Sequence, residues 1–442
     1  MKHFLLSVLS LLLAVTCRPQ ASGAEFSEVS LKVDREFPSL LALYKTLHAN
    51  PELSFHETNT SARMADEWRQ AGYEVTTNVG GFGVVAVLKN GVGHTLLLRT
   101  ELDALPVTEE TGLSFASTVT TKDDSGIKVG VAHACGHDIH MASLVGTGRL
   151  LAQLTNQWHG TLILIAQPAE ERGGGAKAMI ADGLFTRFPR PDYCVAFHDS
   201  AETPAGLISY ASGYSSANAD SVDITVRGFG GHGAYPHKTK DPILLAAELI
   251  VNLQSIVSRE TRPGDAVVVT VGSIHGGTKN NVIPDEVKLQ LTVRTYGDDS
   301  RRQTLEAVKR IARGCAITAG LPEELMPVVK MGADYTPSLY NDPKLTQRVV
   351  GVLSEQFGET NVVTKEPGTG AEDFSRYGRT EDKIPIFMFN VGAVNREVYA
   401  AAKKNGIALP SLHSSRWAPD PAPTIKTGVT ALTAAALDLL GK

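Results

Sequence analysis

Residues 161–171 read TLILIAQPAEE. A run dominated by branched apolar side chains ends in two adjacent glutamates, Glu170 and Glu171. An unbroken apolar run of this length is the pattern of a strand buried on both faces of a parallel sheet. Carboxylates at the end of such a strand are costly to bury unless they are paired or metal-bound, and open α/β sheets bind ligands at the carboxyl ends of their strands. A second run of the same kind, YCVAF at 193–197, ends at His198. The pattern predicts an α/β layer in which two strands deliver polar side chains to one sheet edge.

Upstream, residues 131–141 read VAHACGHDIHM. Cys135 and His137 form a Cys-x-His pair, with His133 before it and Asp138 and His140 after. A thiolate, imidazoles and carboxylates packed this densely suit a transition metal such as zinc, whereas magnesium and calcium prefer oxygen cages. Of the paired glutamates, one serves as a metal ligand and the other as a general base toward metal-bound water. An isolated Cys-x-His pair is more often core packing, and adjacent glutamates are more often a solvated face. Their convergence on one sheet edge decides for a metallohydrolase.

Helical signals run through SLLALYKTLHANPEL and TNTSARMADEWRQAGY, the second stopping at Gly72. Strands follow at GVVAVLK and TLLLRTEL, with Gly and Asn between them as turn residues, and the helix MASLVGTGRLLAQL enters after the Cys-His turn. This alternation describes a doubly wound α/β layer. From about Tyr214 the pattern changes. DSVDITVRG, DAVVVTVGSIHGG and EVKLQLTVRTY alternate like strands of an antiparallel sheet with one wet face, and two helical stretches lie among them. The expected organisation is a catalytic domain over 25–213 and 330–442, interrupted by an α+β lid over 214–329. In the resumed domain a helix is expected near 343–357, a strand at IPIFMFNVG and a closing helix from Thr424.

With 442 residues the chain has room for two cores, and its 43% hydrophobic and 20% charged residues are ordinary globular values. A net charge of -5 gives no footprint for nucleic acid. Past the amino terminus no stretch reads as the apolar length needed to cross a bilayer. At the terminus itself, Lys2 and His3 precede an apolar run from Phe4 to Val15, and ASGA at 21–24 ends in small residues. These features predict a signal peptide over 1–24 and a secreted or periplasmic protein. Cys17 in AVTC raises the rival idea of a lipid anchor, which Ala14 and Thr16 fit poorly. Cys194 and Cys315 form no disulfide framework with Cys135, and Cys194 reads as a small buried hydrophobe.

The stretches LHANPELSFHET, RTELDALPVTEETGL, HACGHDIHMA, QPAEE, GGHGAYPH, NNVIPDEVKLQLTVR, GAEDFS and LHSSR run in order from residue 47 to 416. In this set the chain resembles the aminoacylase/hippurate hydrolase family of two-domain metallo-amidohydrolases, in the branch of auxin-conjugate hydrolases and bacterial N-acyl-amino-acid amidohydrolases. The resemblance implies a zinc-exopeptidase-like catalytic domain with a ferredoxin-like lid through which the chain forms a homodimer. It implies Cys135, His137, Glu171, His198 and His413 as ligands of two divalent ions, zinc first, with manganese, cobalt or nickel fitting the same donors. Five protein ligands exceed what one tetrahedral zinc with an open position takes, and suit a pair bridged by Cys135.

By the same resemblance Glu170 is the general base and Asp103 fixes a ligand imidazole. His232 polarises the scissile carbonyl, Asn281 is a second group on the carbonyl side, and Arg294 pairs with a substrate carboxylate. Glu372 in GAEDFS matches without a derivable role. The expected substrate is an N-acyl amino acid, cut to a carboxylic acid and a free amino acid, with a dipeptide as the alternative. Three places depart from the family pattern: Glu101 replaces an aspartate, DSAETPAG follows His198 without the usual proline spacing, and LHSSR lacks a proline. They are expected at the rim of the site, where they affect side-chain preference.

Overall fold

The computed structural model describes residues 23–441, so the signal-peptide and Cys17 readings fall almost wholly outside the described residues. The larger sheet begins with β1 (Glu74–Val79), β2 (Gly83–Asn90) and β3 (Thr95–Glu101). It continues through β4 (Gly160–Gln167), β5 (Tyr193–Pro204) and β6 (Ile208–Tyr210). The spatial order is β1-β2-β4-β3-β5, followed by Ile386–Val394, β6 and Val362–Thr364. TLILIAQ is therefore β4. It pairs parallel with β3 and antiparallel with β2, which separates the two strands that looked like sequence neighbours. The sheet is mixed, with a parallel centre.

Its side chains alternate between two cores. Leu96, Leu98, Leu162, Leu164, Val195 and Phe197 face one, under the helices Gly23–Ala49, His137–Gln153 and Pro421–Leu439. Leu97, Ile163, Ile165, Cys194 and Ala196 face the other, with Met179, Phe374 and Tyr377. Burial on both faces explains the unbroken apolar runs, and each large apolar side chain fully removed from water contributes about 1.5–3 kcal/mol. Cys194 is the buried hydrophobe expected of it. The closing helix starts at Pro421, earlier than Thr424, because Pro at the first turn costs no hydrogen bond.

The smaller sheet consists of β7 (Asp220–Arg227), β8 (Val267–Gly276), β9 (Glu286–Thr295) and β10 (Val328–Met331), in the order β8-β9-β7-β10 with every pairing antiparallel. With Pro242–Ser255 between β7 and β8 and Asp298–Thr318 between β9 and β10, the connectivity is βαββαβ. The fourth strand is too short to alternate visibly in sequence. It carries this sheet to Met331, past the expected edge at 329. A ribbon pairing Gly213–Ser216 with Leu339–Asn341 forms the connection to the larger sheet.

The helical segment Pro242–Glu260 reaches a mean hydropathy of 1.2 over 19 residues, enough by length and composition to cross a membrane. One such helix, partly packed within the fold, is not a clear membrane span. Leu245, Ala246, Leu249 and Leu253 pack on the smaller sheet, while Ile243, Leu244 and Val251 on its outer face stay exposed.

In the last strands, β11 (Val362–Thr364) and β12 (Ile386–Val394), β12 runs beside β5 well past His198, pairing Asn390 with His198 and Gly392 with Ser200. The strand expected to end at His198 thus continues to Pro204, and His198 projects from its middle.

His48, in the last turn of the first helix, is 1% exposed. Its Nδ1 lies 2.6 Å from Asp138 and its Nε2 2.9 Å from Glu109, so both ring nitrogens face carboxylates. Burial opposes its charge, but the two hydrogen-bonded carboxylates raise its pKa to about 10. The folded value exceeds the unfolded value of about 6.5. The stabilisation is therefore complete below pH about 6.5 and fades as pH rises toward 10. His48→Gln is expected to flatten the fall in urea midpoint across that window. Parallel midpoint curves for the two proteins between pH 6 and 10 would refute the pairing.

Candidate metal centre

The carboxyl ends of β3 and β4, the middle of β5 and two loops converge on one cleft. Cys135 and His137 flank Gly136, the N-cap of the helix His137–Gln153, which adopts φ +76°. A Cβ there would meet the Asp199 carboxylate at 2.6 Å, so backbone conformation and space both require glycine. Gly136→Ala is expected to cost about 1–3 kcal/mol of stability and to weaken metal binding about tenfold or more. Competition with a chromophoric chelator measures the second effect, and unchanged affinity would contradict it.

Ala169, also in left-handed conformation (φ 50°), turns the chain out of β4 so that Glu170 and Glu171 reach the cleft. Its N–H donates to Glu57 at 2.8 Å. The Glu171 N–H donates to Asp103 Oδ2 at 3.0 Å, and that carboxylate also accepts from Ser54 at 2.6 Å. His413 is a second non-glycine residue of the site at positive φ (67°), and its N–H donates to the Ala134 carbonyl, tying the LHSSR loop to the Cys-His turn. Strained residues held by such contacts are characteristic of sites.

Two donor groups share one sulfur. Cys135, His137 and His198 form one, while Cys135, Glu171 and His413 form the other. Cys135 Sγ lies 3.5 Å from His198 Nε2 and 3.3 Å from His413 Nε2, and His413 Nε2 lies 3.5 Å from Glu171 Oε2. His137 donates from Nδ1 to the Asp103 carbonyl at 2.8 Å, and His198 from Nδ1 to the Asp199 carbonyl at 2.8 Å. Both leave Nε2 with its lone pair toward the cluster, the tautomer a metal ligand needs. Asp103 thus orients His137 through its main chain, with its carboxylate at 3.4 Å and engaged chiefly with Ser54 and Glu171.

His137 Nε2 and Glu171 Oε1 are buried without hydrogen-bond partners, 3.9 Å apart. Unpaired buried polar atoms are costly, and a bound cation satisfies both. The residues present therefore fit divalent metal. Glu170 lies 4.0 Å from His137 Nε2. Burial, with Glu372, Glu171 and Asp373 nearby, holds its carboxyl well above the usual range.

Arg294 lines the same cleft from β9. His232 and Asn281 do not. They belong to a two-stranded ribbon and its flank on the lid, both exposed, with His232 Nδ1 accepting from the Ala234 N–H at 3.0 Å. Glu101, expected at the rim, is fully buried. It binds Arg99, and it accepts from His140 Nδ1 at 3.0 Å, while the Asp199 N–H donates to His140 Nε2 at 2.8 Å. Ser200 and Glu202 from DSAETPAG, and Ser411 and Leu412 beside His413, do line the cleft. Sequence reasoning gave no role to Ser54, Glu57, Arg99, His140 or Asp199. They lay inside or beside those motifs, on strands, a helix and loops, with no common local pattern to mark them.

Residues 97–412 match the family described as Peptidase family M20/M25/M40. Thermostable carboxypeptidase 2 of Saccharolobus solfataricus is 36% identical over 86% of this chain and 90% of its own length. Hippurate hydrolase of Campylobacter jejuni is 38% identical over 78% of this chain and 88% of its own. A solved dinuclear metal-binding peptidase of the M20 family from Bacillus subtilis superposes with a TM-score of 0.72 at 28% identity, covering 92% of this chain and 98% of that one. The chain belongs to peptidase family M20/M25/M40 and is a metal-dependent hydrolase of amide bonds.

Proposed function

We propose that the protein hydrolyses the amide bond of N-acyl amino acids, releasing a carboxylic acid and a free amino acid. The observation that carries this reading is the placement of Cys135 in both donor groups with Glu170 beside them and Arg294 across the cleft. Cys135, His137, Glu171, His198 and His413 would hold two divalent ions, zinc by the softness of the thiolate, which when bound polarise the amide carbonyl and acidify water. Glu170 takes the proton of the attacking water and returns it to the leaving nitrogen. Arg294 orients the substrate through its carboxylate, in a bidentate contact that a lysine could not reproduce.

His232 and Asn281 complete the carbonyl side from the lid of a second copy. Two features support this part. Neither residue lines the cleft of its own chain, and the lid presents exposed Ile243, Leu244 and Val251 on its helix together with Ile274 on β8, which stands at the sheet edge. The proposal includes export, on the strength of Lys2, the apolar run Phe4–Val15 and the small residues before Glu25.

The test is hydrolysis of hippurate, N-acetyl amino acids, an indole-acetyl amino acid and dipeptides, with and without a chelator. Chelator-sensitive cleavage of the N-acyl compounds, restored by zinc, manganese or cobalt, is the expected result. Cleavage of dipeptides alone would replace this reading with that of a dipeptidase.

A further inference from the structure

The charged side chains of the cleft are nearly all paired. Arg172 holds Asp124 at 2.5 Å, Arg376 holds Asp334 at 3.2 Å, and Glu372 accepts from Arg99 at 2.8 Å. Glu170, Glu171, His198 and His413 belong to the metal centre. Two cations remain, Arg294 and Lys365, and among the described residues neither side chain has an ion-pair or hydrogen-bond partner. Both are partly buried. Burial lowers the pKa of each, and Glu202, the one carboxylate acting on Lys365, is exposed and beyond contact. A desolvated cation without a partner is a cost in the free protein that an anionic ligand removes.

Arg294 already serves one carboxylate. It stands on β9 of the smaller sheet, whereas Lys365 follows immediately past the end of β11 in the larger one. Register locates it relative to the metal centre. His198 pairs with Asn390, Asn390 with Ser209, and Ser209 with Val363. Three strand spacings of about 4.8 Å make roughly 14 Å between the His198 and Val363 backbones, and Lys365 lies two residues beyond. Lys365 and the metal centre line the same cleft, with several bonds of substrate between them. The cleft encloses about 1070 Å³, at the upper end of ordinary ligand pockets, so a longer acyl group has room.

We propose that Lys365 binds a second carboxylate on the substrate, so that the enzyme prefers dianionic N-acyl amino acids. This rests on the amidohydrolase reading.

The metal-loaded enzyme is compared on N-succinyl-alanine, N-glutaryl-alanine, N-acetyl-glutamate and N-acetyl-alanine, in parent and Lys365→Gln forms. In the parent, kcat/KM is expected to favour a dianionic substrate, and Lys365→Gln to reduce that preference about tenfold to a hundredfold, chiefly through KM. Loss confined to the succinyl and glutaryl compounds places the carboxylate on the acyl group, and loss confined to N-acetyl-glutamate places it on the amino acid. Equal rates on mono- and dianionic substrates, or a preference unchanged by the substitution, would overturn the proposal.

Calorimetric titration of N-succinyl-alanine and N-acetyl-alanine into parent and variant separates the two readings. Lys365-dependent preference for the dianion without hydrolysis would remove the amidohydrolase function and leave the contact. Absence of that preference in binding would remove the contact, whatever the enzyme cleaves.

Discussion

Replacing Glu170 by glutamine is expected to lower kcat by about 10²–10⁴ while metal content stays at the parental level. The substitution keeps the size and shape of the side chain and removes only its capacity to accept and return a proton. Glu170 takes no part in either donor group built on Cys135, although it forms a further group with His137 and Glu171 and stands 4.0 Å from His137 Nε2. Its neighbour gives the contrast. Glu171 belongs to the group with Cys135 and His413, so Glu171→Ala loses metal and activity together. Metal analysis alongside single-turnover kinetics distinguishes the two. Near-parental kcat in Glu170→Gln would show that the proton travels through another group, and lost metal would show that Glu170 is a ligand. KM is expected to change little, because the base acts on water and the leaving nitrogen.

The centre was legible in sequence because its chemistry is concentrated. Cys135 and His137 flank one glycine, Glu170 and Glu171 are adjacent, and both pairs follow or precede strongly apolar segments whose burial forces their polar ends together. The order of strands was not legible. β2 and β3 are close in sequence, yet β4 lies between them, because pairing is set by long-range register that a local pattern does not encode. Lid residues show the same limit. His232 and Asn281 lie in motifs as clear as that of Cys135, yet both stand exposed outside the cleft lining, which a motif does not reveal. Glu101 failed for another reason. It ends a strand flanked on both edges and covered on both faces, so that what looked like a rim position became one of the most enclosed carboxylates in the protein.

That enclosure makes Arg99 the second position of large expected effect. Arg99 is 1% exposed and faces three carboxylates: Glu101, Glu372 at 2.8 Å and Asp373 at 3.1 Å. Its Nε donates to Gln167 at 3.1 Å. Burial works against its charge, but the three carboxylates hold its pKa well above the ordinary value. Burial likewise opposes the charge of Glu101, yet Arg99 and His140 hold that carboxyl well below its usual range. Asp373, where burial prevails despite Arg99, is pushed up to about 7.

Arg99→Met keeps most of the side-chain volume and deletes the one cation of the cluster, leaving buried carboxylates uncompensated. The expected loss is about 3–5 kcal/mol, a large share of the roughly 5–15 kcal/mol of a typical domain. Its pH dependence follows from Glu101. A carboxyl depressed in the folded state stabilises above its unfolded pKa of about 4.3 and loses that contribution as pH falls through the folded value. The deficit of Arg99→Met in urea unfolding should therefore be full at neutral pH and shrink below pH about 4.3. Because Glu101 reaches His198 through His140 and Asp199, metal affinity should fall with stability. An unfolding midpoint within error of the parent at pH 7, or a deficit that stays constant into acid, would show that Arg99 neutralises nothing of consequence.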